Sequence, residues 1–163
     1  MITQARLKEL LHYDPDTGVF TWATKASRNV VVGRVAGSSS EGSYHAVRLD
    51  KQRFQAHRLA FLYMTGEWPE HDVDHINGVR TDNRWANLRD ITRTTNIQNQ
   101  RAAHSDSASG HLGVYYNKAR RKFVAQIKPQ GRANKYIGGF DTAEEAHAAY
   151  LNAKRELHAG CTL

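Results

Sequence analysis

The sequence predicts an α+β protein in which small antiparallel sheets stand beside separate helices. Three observations carry that prediction. Short β-type runs bounded by turn signals recur along the chain. A strand, long loop, strand, helix order is written into residues 71–103. Three strands in succession, followed by one amphipathic helix, fill residues 111–160.

The first 70 residues read as an N-terminal α/β region. In "ITQARLKELLHY", Ile2, Leu7, Leu10 and Leu11 fall near helical spacing, and Thr3 is placed to cap the helix. "DPDTG" is a turn signal and "VFTW" a short strand. "GRVAGSSSEGS" is a Gly/Ser loop. "YHAVRL" and "RFQAH", joined across Asp50-Lys51-Gln52, predict a hairpin. "HRLAFLYMTG" predicts a short buried helix stopped by Gly66. His57, at the start of that helix, reads as a helix-end or core histidine.

Residues 71–103 are unusual. Val73 to Gln100 hold five Asn, three Asp and one His in 28 residues. "DVDH" predicts a strand, Asn77-Gly78 a tight turn, and "RDIT" a second strand. Asp82 is expected to cap a helical turn through "RWANL". Thr94 or Thr95 is expected to start a polar helix through "NIQNQRAA". Asn77 and Asn83 are accounted for as turn formers, because their side chains bond nearby backbone amides. Asp74, His75 and Asn96 are not so easily explained. Folding the hairpin back against the helix would bring these three together.

That trio suits phosphodiester hydrolysis. A neutral histidine accepts a proton from water near pH 7. A hard divalent cation takes oxygen ligands, which Asp74 and Asn96 can supply, and leaves room for waters and phosphate oxygens, as Mg²⁺ prefers. Adjacent strand residues point to opposite faces, so Asp74 and His75 can both serve only if the strand ends there. Asp72 shares a face with Asp74 and is the weaker ligand candidate.

"VDHINGVRTDNRWANLRDITRTTN" resembles the core of the HNH endonucleases, the ββα-metal nucleases. It is most similar to the phage homing branch, with its pattern D-H-x-(N/D)-G-(four)-N-(three)-N-L-R followed by a strand and a helix carrying Asn. The resemblance implies that Asp74 and Asn96 bind the metal and that His75 is the general base. It implies that Asn87 braces the loop and orients the histidine. Asn at the third signature place, where many relatives carry His, favours Mg²⁺ or Mn²⁺ over Zn²⁺. "LKELLHYDPDTGVFTW" and the stretch from "AHRLAFLYMTGEW" onward resemble the region that often precedes this core in phage proteins.

"HSDSASG" at 104–110 reads as a linker. Beyond it, "LGVYYN", "KFVAQIK" and "KYIGGF" predict three strands. Thr142 and Glu145 form a capping box, and Ala146, Tyr150, Ala153 and Leu157 make an apolar stripe on a helix ended near Gly160. Residues 111–140 hold seven basic residues and no acid, the footprint of a polyanion partner. This segment resembles the APETALA/ethylene-response-factor-type DNA-binding domain. The resemblance implies contacts from alternate sheet positions at Tyr115, Asn117, Arg121, Gln126 and Lys128, with Phe123 at a tryptophan position. Arg120 and Lys135 add to the same basic surface.

Whole-chain properties agree with a nucleic-acid partner. The 163 residues carry a net charge of +7, with a pI near 9.7. Mean hydropathy is −0.66, and no apolar run reaches the roughly 20 residues that span a bilayer. The N-terminus lacks the apolar stretch of a signal peptide. One cysteine, Cys161, permits neither an intrachain disulfide nor a cysteine zinc site, which fits a cytoplasmic setting, that of the host cell if the chain is phage-encoded. The expected activity is hydrolysis of double-stranded DNA by an HNH endonuclease of the free-standing homing type. A monomer with one such site should nick, and a dimer is the alternative. The competing reading is a sequence-specific DNA-binding regulator with an inactive nuclease core. A third is a metal-free RNA-binding protein.

Overall fold

A computed structural model describes residues 1–40, 43–100, 103, 107–129 and 132–158. The chain divides into two compact units, Met1–Ile91 and Thr92–Leu163. Each is α+β, built from two- or three-stranded antiparallel sheets and short helices.

In the first unit, α1 spans Gln4–Leu10, with the Thr3 hydroxyl accepting from the Arg6 amide at its N-terminus. The helix is shorter than its apolar spacing suggested. Leu11 leaves it in extended conformation and opens β1, Leu11–Asp14, which pairs with β2, Val19–Trp22. Leu10 serves the helical period, whereas Leu11 and Tyr13 are buried with the period of two of a strand. Two periodicities overlapping at one leucine pair read as one long helix.

Strands β3, Ala46–Leu49, and β4, Gln52–Gln55, form the expected hairpin with a tighter turn. Asp50 and Lys51 alone make it, both at positive φ, and Gln52 already pairs with Leu49. Helix α2, Ala56–Thr65, ends at Gly66 in the left-handed conformation, as expected. Strand β5, Asp72–His75, pairs antiparallel with β6, Leu88–Ile91.

One apolar core holds this unit together. Leu7, Leu10, Leu11, Tyr13, Phe20, Val47, Leu49, Leu59 and Leu62 are all buried in it, and Val73 and Leu88 join from β5 and β6. Each such side chain contributes roughly 1.5–3 kcal/mol on burial. The β5–β6 hairpin is therefore anchored to the N-terminal region through its inward residues.

Two local details between β5 and α3 differ from the sequence reading. Residues Trp85–Asn87 form a single 3₁₀ turn preceded by Arg84, which caps nothing with its side chain. Asp82 instead ties two neighbours, accepting from Asn77 Nδ2 at 2.6 Å and from Arg84 Nε at 2.8 Å. Helix α3, Arg93–Gln98, starts earlier than expected because Thr92, not Thr94 or Thr95, caps it by accepting from the Thr95 amide.

The second unit contains α3 and a three-stranded sheet in the order β7 (Val114–Asn117), β8 (Lys122–Ile127), β9 (Lys135–Phe140). Helix α4, Ala143–Leu157, follows. Both halves of its capping box are made: the Glu145 amide donates to Thr142 Oγ1 at 3.2 Å, and the Thr142 amide to Glu145 Oε2 at 3.4 Å. Ala143, Ala146 and Tyr150 pack with Val114, Ala125 and Ile127. Gly113 permits this. A Cβ there would sit 2.1 Å from the Tyr150 ring, and its φ is +75°. The helix stop assigned to Gly160 lies outside the described residues, as do Glu41, Gly42 and part of the 104–110 linker.

Candidate active site

The loop between β5 and β6 is a closed network of asparagine bonds. The Gly78 amide donates to the His75 carbonyl at 2.8 Å, closing the turn that Asn77-Gly78 announced. Asn77 behaves as a turn former, its Oδ1 accepting from the Val79 amide at 2.8 Å. Asn87 braces the loop from beneath. Its Oδ1 accepts from the Asn77 amide at 3.0 Å, and its Nδ2 donates to the Asp82 carbonyl at 2.7 Å and to Asn77 Oδ1 at 3.0 Å. The Ile76 amide donates to the Asn87 carbonyl at 2.9 Å. Beside Arg84, the Asp82 carboxyl is held down at about 2, so this brace is ionised at any ordinary pH.

Strand alternation decides how Asp74 and His75 are presented. Both lie within the regular β5–β6 ladder, Asp74 opposite Arg89 and His75 opposite Leu88. Val73 and His75 are buried, whereas Asp72 and Asp74 are half-buried on the other face. The strand ends at His75, but Asp74 and His75 are both still inside the ladder, so they keep the opposite faces of strand alternation.

On one face, Arg89 Nη2 and Nε donate to Asp74 Oδ2 at 2.8 and 3.0 Å. Asp72 shares that face. The donors there are carboxylate oxygens, a set suited to a hard divalent cation. Among the described residues no three His, Cys, Asp or Glu side chains converge. Asn96, the other expected ligand, is half-buried on α3 in the second unit.

On the other face, His75 is 3% exposed, and its Nε2 lies 3.0 Å from Asn83 Oδ1. Asn83 Nδ2 faces the Thr81 carbonyl at 3.4 Å, which sets the orientation of the amide. An amide oxygen only accepts, so Nε2 carries the hydrogen, and the neutral ring keeps its lone pair on Nδ1. The imidazole stands edge-on to His57 with ring centres 5.2 Å apart, and near-parallel to Tyr44 at 5.8 Å. Burial, assisted by His75 and Arg58, pushes His57 down to about 3. It is a neutral core histidine, as its position at the head of α2 suggested. Its Nδ1 is buried without a hydrogen-bond partner.

In the second unit, strand register sorts the expected DNA-contact residues. Tyr115, Asn117 and Gln126 project from the sheet face opposite α4. Arg120 and Arg121 occupy the β7–β8 turn, Lys128 follows β8, and Lys135 opens β9; all four are exposed. Phe123 lies on the α4 side. Two further residues lie on the face away from α4. Lys122 lies opposite Asn117, and Tyr136, 54% exposed, lies opposite Gln126 with the Arg120 guanidinium 5.9 Å from its ring centre. The alternation that singled out Tyr115 and Gln126 also reaches Lys122. Tyr136 is brought to this face by a bulge at Ala125/Gln126.

The β5–β6 hairpin thus bears adjacent Asp and His and a loop bound by asparagines, and α3 follows it in sequence. Part of this sequence is similar to known proteins. Residues 54–98 match the HNH endonuclease family. Over 79 residues the chain is 34% identical to an uncharacterized HNH endonuclease of Acanthamoeba polyphaga mimivirus, across 44% of this chain and 20% of that protein. The chain thus spans about a fifth of that relative's length. No solved structure matches it. These similarities support a nuclease. No helix among the described residues is long and apolar enough to cross a membrane.

Proposed function

We propose that this chain is a metal-dependent endonuclease that hydrolyses phosphodiester bonds in double-stranded DNA, of the free-standing phage homing type, acting in the cytoplasm of a host cell. The observation that carries this reading is His75 at the end of β5, held through Nε2 with its lone pair on Nδ1, next in sequence to the carboxylate of Asp74.

In this reading a water adds to phosphorus, the bond to the leaving oxygen breaks, and the water's proton passes to His75 Nδ1. Burial keeps the ring in one orientation, and the bond to Asn83 keeps it in one tautomer. Asp74 would be the charged ligand of a Mg²⁺-like ion, and Asn96 would be a second ligand on the motif alone. Such an ion, when bound, supplies positive charge to the phosphate and the leaving oxygen. Arg89 neutralises Asp74 otherwise. Asn87 keeps the loop closed around His75.

The sheet of the second unit is the DNA anchor in this proposal. The HNH match stops at residue 98, so the APETALA-type reading of 111–160 rests on its own motifs, the three-strand-plus-helix architecture, and the exposed aromatic and basic face. One such catalytic site cuts one strand, so the monomer nicks. A double-strand break requires a second copy or a second visit.

The Asp74–Arg89 pair favours one alternative, a DNA-binding regulator whose nuclease core is inactive. Supercoiled plasmid incubated with Mg²⁺, with and without EDTA, separates the two. Relaxed circles that form only without EDTA support the nuclease. Plasmid that is shifted on a gel yet stays supercoiled supports the regulator.

A further inference from the structure

We infer that Asn83 is the positioning residue for His75, and that the β1–β2 hairpin is the clamp that holds Asn83 in place. This deepens the reading of His75 as the general base and rests on it.

Asn83 is 4% exposed, and its side chain is the bonded partner of the His75 ring. Its own backbone is fixed from a distant part of the chain. The Tyr13 hydroxyl donates to the Asn83 carbonyl at 2.7 Å, across 70 residues of sequence. Burial raises the Tyr13 pKa, with the charges of Asp14 and Asp82 adding to it, so the hydroxyl stays a donor. The Tyr13 ring is wedged against Phe20, with centres 4.6 Å apart, and edge-on to Tyr63 at 5.7 Å.

The turn between β1 and β2 closes the clamp from the other side. The Trp85 amide donates to the Pro15 carbonyl at 2.9 Å. Gly18 lies directly against the same backbone. A Cβ at Gly18 would fall 2.3 Å from the carbonyl carbon of Asn83 and 2.4 Å from the Arg84 nitrogen, and its φ is +72°. Only glycine allows that approach in that conformation. The "DPDTG" turn thus fits against residues 83–85, and Tyr13 bonds the carbonyl of the residue whose side chain sets the His75 tautomer.

A purely structural asparagine would cost stability when replaced and leave the histidine's tautomer alone. A positioning asparagine must control which imidazole nitrogen carries the hydrogen. The test is ¹⁵N NMR of the His75 imidazole, beside single-turnover nicking and gel-shift on one DNA target, for Asn83→Leu, Asn83→Asp and Tyr13→Phe in the full chain. Leucine has similar volume and no acceptor; aspartate keeps an oxygen.

In the wild type, Nε2 should be the protonated nitrogen of the neutral ring. Asn83→Leu should give a tautomer mixture and slow nicking about 10-fold or more, less than the roughly 10²–10⁴-fold expected from losing the base itself, with DNA affinity unchanged. Asn83→Asp should restore the single tautomer and most of the rate. Tyr13→Phe should shift both in the direction of Asn83→Leu, by less. An unchanged tautomer in Asn83→Leu, or Asn83→Asp behaving like Asn83→Leu, overturns the inference. If Asn83→Leu does not fold, Tyr13→Phe decides it: unchanged tautomer and rate overturn the clamp. Failure of the underlying reading looks different, because His75→Ala would then still nick while the tautomer shifts of the Asn83 variants remained readable.

Discussion

Arg89 grips Asp74 from the opposite strand, both Nε and Nη2 donating to the one oxygen Oδ2, at 3.0 and 2.8 Å. The pair is partly buried, with 12% of the Asp74 side chain exposed and 26% of the Arg89 side chain. Such a pair lies between an exposed ion pair, worth up to about 1 kcal/mol, and a buried one, whose breakage costs about 3–5 kcal/mol. Asp74→Ala should therefore cost about 1–3 kcal/mol in urea unfolding as well as removing the charged metal ligand. Cleavage should fall in the order Asp74→Ala, then Asn96→Ala, then Asp72→Ala, since water can replace a neutral amide oxygen. Rates measured at saturating Mg²⁺ would check the order, and Asp72→Ala as the most damaging change would reverse the ligand assignment.

His57 makes the fold sensitive to acid. Its pKa is about 3 folded and near the ordinary 6.5 unfolded, so between those values the unfolded chain binds a proton that the native chain does not. Stability is full above about 6.5 and declines as pH falls toward 3. The depressed carboxyl of Asp82 acts in a lower window, losing its contribution as pH falls from 3.8 toward 2. Urea midpoints taken from pH 7.5 to 4 should fall, and His57→Phe should flatten that decline if the variant folds. A parallel decline in wild type and variant would remove His57 from this role.

The basic module should reveal itself through salt. Removing residues 106–163 takes away the acid-free run at 111–140 with its seven basic residues. For every DNA phosphate that this segment neutralises, its removal should reduce the slope of log K against log salt by about 0.9. Titrations of one duplex between 50 and 300 mM salt, a window of about the usual breadth for such plots, should give a flatter line for the shortened chain. Equal slopes would place the anchoring residues elsewhere.

Much of this was legible in the sequence because the signals were local. The capping box at Thr142 and Glu145, the stop at Gly66 and the hairpin around Asp50-Lys51 each depend on residues a few positions apart. Asp74, His75 and Asn87 stood out through one short motif. What was missed depends on distant partners. Asn77 and Asn83 look alike as turn formers, and Asn83 is in addition buried and bonded to His75. Nothing near Asn83 in sequence announces Tyr13, which lies 70 residues away. The Arg89 grip on Asp74 needed the strand register, which the motif does not state. Leu11 was misplaced because a helix and a strand share its apolar pattern.

The central claim is that His75 performs the chemistry while residues elsewhere hold the DNA. Single-turnover nicking by His75→Ala, with a gel-shift on the same target, tests it most directly. The account predicts a rate lower by roughly 10²–10⁴-fold, the usual contribution of a positioned base, with DNA affinity nearly unchanged. A folded His75→Ala protein that nicks at close to the wild-type rate would contradict it.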